Sequence, residues 1–174
     1  MFRIPFSGRS ISYTPEEVDL VSTVMSKGKT LTQGENLFNF ENKFKKYTGC
    51  DHAFAVCNAA SALEMAAQLC QFSDGQEVII PSHTYTATAY PFIKKGAKVV
   101  WADIDKDTRV ISRETIQKAL TSKTKAIVVV HLYGFIAQMD EIMELAEENG
   151  LIVIEDAAQA IGTELNGTKA GNYG

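Results

Sequence analysis

The chain has 174 residues, 45% of them hydrophobic and 22% charged, enough for one domain with a sizeable core and marginal for two. Acidic residues outnumber basic ones 21 to 17 and the net charge is −4, which counts against a nucleic-acid partner, a class that wants a positive face. No apolar run approaches the roughly 20 residues of a membrane span, and MFRIPFSGRS has no signal-peptide h-region.

Thr14-Pro15-Glu16-Glu17 predicts a helix start, with Thr14 as N-cap, Pro15 at N1 and Glu17 closing a capping box. Val18, Val21, Val24 and Met25 follow at helical spacing, and Gly28 ends the segment. After the polar loop KTLTQG comes a second helix with Leu37, Phe38, Phe44 and Tyr47 as its apolar positions and Gly49 as its stop. From there the pattern changes to short, mostly β-branched apolar runs at 53–57, 78–80, 98–101, 126–130 and 151–154. They read as five parallel strands buried on both faces. Helical segments alternate with them: one from near Ser61, one from Thr86 containing Pro91, one capped by Ser112, and one over Met139–Asn149 stopped by Gly150. The alternation predicts an α/β fold, an open, doubly wound, mainly parallel sheet with helices on both faces. Residues 1–34 read as an N-terminal arm and helix, and 35–174 as the βα domain. Cys50, Cys57 and Cys70 form no CxxC pair, which argues against a disulfide framework or zinc site and suits reduced thiols in a cytoplasm.

In such a sheet, ligands bind beyond the carboxyl ends of the strands. The first run leads into Asn58-Ala59-Ala60-Ser61, small and polar at a helix start. This suits an anion approaching free N–H groups, and equally a tight turn capped by Asn58 or Ser61. There is no GxGxxG, which weakens a dinucleotide reading. After the second run stands Tyr85, able to stack on a flat ligand or simply to pack its ring and wet its hydroxyl. After the fifth comes Asp156-Ala157-Ala158-Gln159, where Asp156 is either a partner for a cationic ligand atom or a helix N-cap. Asp156 and Ala158 face the same way if the chain stays extended. One ligand meets all three demands: a phosphate, a flat ring and a protonated ring nitrogen together describe pyridoxal 5′-phosphate.

The stretches LTQG (31–34), HAFAVCNAASAL (52–63), VIIPSHTYTATA (78–89), ADID (102–105), VVVHLYG (128–134), VIEDAAQAIG (153–162) and NGTKAGNYG (166–174) carry a resemblance that covers nearly the whole chain. In order and spacing they resemble the DegT/DnrJ/EryC1/StrS family, sugar aminotransferases of PLP fold type I. The resemblance implies part of the large PLP-binding domain of a longer protein, with the remainder and a small C-terminal domain absent. It implies Asp156 against the pyridinium nitrogen, Gln159 on the cofactor's 3-oxygen side, Tyr85 on the ring, and Ala59, Ala60 and Ser61 at the phosphate, with Ala158 in the same loop. For Thr32, in the LTQG stretch, two readings stay open: a place on the substrate side and a plain loop threonine. The family commonly has Gly-Thr where this chain has Ala59-Ala60, so one phosphate hydrogen bond is in question. The family's Schiff-base lysine lies about a dozen residues past a segment like NGTKAGNYG, and no lysine here matches it; Lys169 reads as a surface residue.

The function so implied is amino transfer, with glutamate as donor, to a nucleotide-linked keto-sugar by a cytoplasmic homodimer. Two alternatives share the resemblance: a nucleotide-sugar dehydratase with histidine in place of the lysine, and a non-catalytic PLP-binding regulatory protein.

Overall fold

The computed structural model describes residues 12–28, 30 and 32–174. The described residues up to Phe40 form one compact unit and Glu41–Gly174 a second. The first carries α1 (Pro15–Lys27), which starts as expected: Glu17 N–H donates to the Thr14 hydroxyl, and the Glu17 carboxylate accepts the Thr14 N–H. Helix α2 (Glu35–Thr48) crosses the boundary between the units and ends at Gly49, whose φ of +88° favours glycine. Neither helix buries a residue.

The second unit is built on four parallel strands: β1 (Glu77–Pro81), β2 (Lys98–Ala102), β3 (Thr124–Val130) and β4 (Ile152–Asp156), in the order β2-β1-β3-β4. Alternation along the two central strands splits the core into two layers. Ile79, Ile127 and Val129 point to the face covered by α5 (Arg113–Ala119) and α6 (Met139–Asn149), where Ile116, Ile142 and Leu145 meet them. Val78, Ile80, Ala126 and Val128 point to the opposite face, against Leu63 and Ala67 of α3 (Ala59–Cys70) and Phe92 of α4 (Thr86–Lys94). Helices therefore cover both faces of a parallel sheet, as the alternating pattern requires. A short antiparallel pair, β5 (Glu164–Leu165) and β6 (Thr168–Lys169), completes the second unit.

The first of the five expected strands is absent among the described residues. Residues 53–57 carry a strand-like run but adopt no strand; Phe54 is 76% exposed, and the Ala55 N–H donates to the Glu41 carboxylate rather than to a neighbouring strand. A β-run becomes a strand only with a ladder partner, and among the described residues none lies beside this one. The third helix also begins two residues before the expected Ser61, because Asn58, not Ser61, is its cap: Ser61 N–H donates to Asn58 Oδ1 at 2.9 Å.

Candidate active site

The carboxyl ends of β1, β3 and β4 and the N-termini of α3 and α4 converge on a cleft of about 450 Å³. Asn58, Ala59, Ala60, Tyr85, Asp156, Ala158 and Gln159 all line it. Runs widely separated in sequence thus meet at one sheet edge, the place where a parallel sheet leaves backbone groups and side chains free for a ligand.

On one wall, α3 begins. The Asn58 cap uses the Ser61 N–H, and the Ala62 N–H reaches the Asn58 carbonyl at 3.3 Å. The Ala59 and Ala60 N–H groups are left without an acceptor among the described residues, and they stand at the positive end of a 12-residue helix. Ser61 does not line the cleft; its hydroxyl donates to Asn58 Oδ1 at 3.1 Å, with Cys57 Sγ also at 3.1 Å, behind the turn.

Opposite stands Asp156, the last residue of β4. Its Oδ1 accepts the Ala158 N–H at 3.3 Å and its Oδ2 accepts the Thr88 hydroxyl at 2.9 Å. The chain turns directly after Asp156 and no helix begins there, so the N-cap reading fails and so does the extended geometry for Ala158. Asp156 and Ala158 still share the cleft because the turn is held by the Asp156 carboxylate itself. Gln159 Oε1 accepts the Tyr133 N–H at 2.9 Å. Tyr133 sits at φ +55°, a left-handed conformation uncommon outside glycine, inside the short 3₁₀ turn Leu132–Gly134. Tyr85 caps α4 with its backbone and is itself 74% exposed. Thr32 is exposed in the bend before α2. Lys169 lies with its ammonium 5.3 Å from the centre of the Tyr47 ring, so a cation–π contact accounts for it.

Two groups escape sequence reasoning. Thr88 is 2% exposed and bonded to Asp156; within an alternating small-residue helix start it looks like any helix threonine. His131, which lines the cleft just past β3, forms a buried pair with Glu155 of β4. His131 Nδ1 accepts the Ala137 N–H at 3.2 Å, which puts the ring hydrogen on Nε2, and Nε2 donates to Glu155 at 2.9 Å. Glu155 also accepts the backbone N–H groups of Gly171, Tyr173 and Gly174 at 2.7–2.9 Å. Burial alone, the largest influence, would push its pKa up; His131 and the three backbone donors together outweigh it and hold the carboxyl below its ordinary range. The period-2 alternation of β4 held a signal for this, since neighbouring acidic residues on a strand must face opposite ways.

A parallel α/β sheet with this cleft at its carboxyl edge is the architecture of the PLP fold type I transferases. The match to the DegT/DnrJ/EryC1/StrS aminotransferase family spans residues 12–174, and the chain belongs to that family. It is 36% identical over 163 residues to a GDP-perosamine synthase of Escherichia coli O157:H7, covering 94% of this chain and 45% of that protein. Among solved structures it resembles an aminotransferase from Psychrobacter cryohalolentis, with a TM-score of 0.89 and 38% identity over 94% of this chain and 42% of that one. It also resembles an E. coli GDP-4-keto-6-deoxy-D-mannose-3-dehydratase with bound hydrated PLP, with a TM-score of 0.88 and 29% identity over 95% and 44% of the two chains. The chain spans less than half the length of each of these relatives.

Proposed function

We propose that the full-length protein is a pyridoxal 5′-phosphate-dependent aminotransferase that moves an amino group, with glutamate as donor, onto a nucleotide-linked keto-sugar. The observation that carries the reading is the pairing across one cleft of two unspent N–H groups at a helix start with the Asp156 carboxylate. An anion site and a carboxylate lining one cleft suit the two polar ends of the cofactor. The family's other members and a similar structure that holds PLP support it. When bound, the cofactor supplies a protonated pyridine ring that accepts the electron pair released at the donor's α-carbon.

The chain's own residues then divide the work. Ala59 and Ala60 donate their N–H groups to the phosphate, and Ser61, bonded to Asn58, keeps that turn in shape. Tyr85 covers the ring with its exposed face. Asp156 holds the proton on the ring nitrogen, and the Ala158 N–H fixes one of its oxygens. Gln159 has its oxygen taken by Tyr133, so its amide Nε2 is the donor left for the 3-oxygen. Thr32 is the candidate on the substrate side. We place the protein in the cytoplasm as a homodimer; three free cysteines suit a reducing compartment, and the family resemblance carries the pairing.

The test incubates full-length protein, PLP and glutamate with a GDP-linked keto-sugar, the GDP taken from the name of the E. coli O157:H7 relative, a GDP-perosamine synthase. Formation of 2-oxoglutarate and an amino-sugar in equal amounts is expected. Sugar consumed with loss of water and no nitrogen gained would mark the dehydratase alternative. PLP binding without any turnover would mark the regulatory one.

A further inference from the structure

Thr84, Thr88 and Asp156 form a line of oxygen atoms that runs from the loop after β1 into the cleft. Thr88 Oγ1 lies 2.8 Å from Thr84 Oγ1 and 2.9 Å from Asp156 Oδ2. A hydroxyl has one hydrogen to give, and a carboxylate only accepts. The Thr88 hydrogen is therefore committed to Asp156, and the Thr84–Thr88 contact must have Thr84 as its donor. Every O–H in the line points toward the carboxylate. Hydrogen bonds aligned in this way polarise one another and strengthen, more so where water is excluded, and Thr88 is 2% exposed. With the Ala158 N–H on the other oxygen, the carboxylate plane is held from both sides, yet each oxygen keeps an acceptor position of the roughly four a carboxylate offers.

We propose that Thr88, backed by Thr84, is a positioning residue for the cofactor: its hydroxyl orients the Asp156 carboxylate so that an open acceptor position meets the pyridine nitrogen. The assignment rests on the PLP reading above and extends it to Thr88, which touches the carboxylate, and to Thr84, which touches Thr88. Packing and positioning make opposite forecasts here. Valine keeps the shape of threonine and loses the hydroxyl; serine keeps the hydroxyl and loses the methyl group.

The experiment uses the full-length protein with PLP labelled with ¹⁵N in its ring, and compares wild type, Thr88→Val, Thr88→Ser and Thr84→Val. The ring-nitrogen chemical shift reports protonation directly, and equilibrium dialysis of the apoprotein reports PLP affinity. Thr88→Val is expected to move the shift toward that of an unprotonated pyridine and to weaken PLP binding about tenfold, the scale of one hydrogen bond to a charged group. Thr88→Ser is expected to keep the wild-type shift. Thr84→Val leaves the buried position untouched, so it tests the line even if the Thr88 variants fold poorly; it should move the shift in the same direction by less. Wild-type shifts in both valine variants overturn the proposal, as does a serine variant that is impaired while valine is not. A wild-type protein that takes up no PLP overturns the cofactor reading itself, a result separate from any difference among the variants.

Discussion

Asp156 and Glu155 are adjacent carboxylates with opposite employment, and the pleat of β4 separates them. Asp156 faces α4 and the cleft, where Thr88 and the Ala158 N–H hold it. Removing its charge removes the field that keeps a proton on the ring nitrogen, so Asp156→Asn and Asp156→Ala should each lower the half-reaction rate with glutamate by about 10²–10³. Stopped-flow absorbance on folded variants checks this, and an Asn variant at wild-type rate refutes the role. Glu155 faces the other way and ties Gly171, Tyr173 and Gly174 to the strand. Glu155→Gln keeps one acceptor oxygen and replaces the other with an amide, leaving backbone donors unmatched at a cost of about 1–3 kcal/mol. Because the folded carboxyl titrates below its unfolded value, its contribution is complete above roughly pH 4.3 and is lost as pH falls through the lower folded value. The difference in melting temperature between wild type and Glu155→Gln should therefore be constant near neutrality and shrink only at acid pH.

At the scale of elements, local chemistry explains most of what forms. The Asn58 cap sets the start of α3 and thereby which N–H groups remain free, so Asn58→Ala should cost about 1 kcal/mol by urea unfolding and weaken PLP binding as the turn loosens. Gly162 shows the opposite constraint: at φ +85°, an added Cβ would sit 2.5 Å from the Tyr47 hydroxyl. Gly162→Ala should destabilise by about 1–3 kcal/mol, read as a lower urea midpoint at unchanged slope. Four strands and the helices between them were legible because their runs are unbroken and β-branched, though burial on both faces holds for the central β1 and β3 and not for the edge strands β2 and β4, and caps such as Thr14 and Ser112 mark helix starts. The run at 53–57 misled for the same reason: its apolar residues record a preference, while a strand also needs a neighbour that no property of the run supplies. The cleft was legible in Asn58, Tyr85, Asp156 and Gln159, since strand ends are where polar residues interrupt apolar runs. Thr88 and Glu155 were not, because their meaning lies in pairings to residues 68 positions and up to 24 positions away.

At the scale of the whole molecule, α1 poses a problem of stability. It has 13 residues, a complete capping box and an apolar stripe, yet buries none of them: Val18, Val21 and Met25 are 52%, 58% and 80% exposed. A helix this short is marginal in water however well it is capped, since most helical stability in proteins comes from packing an apolar face. The stripe at i, i+3 and i+7 is the geometry of a face that meets another surface. The homodimer proposed above would supply such a surface. Sedimentation velocity on the full-length protein at micromolar concentration is expected to give a single species of twice the chain mass. Val21→Asp puts a charge in the middle of the stripe, where burial without a partner is costly. The variant should shift the boundary toward monomer. A wild-type protein that sediments as a monomer across that range would remove pairing as the use of the α1 stripe.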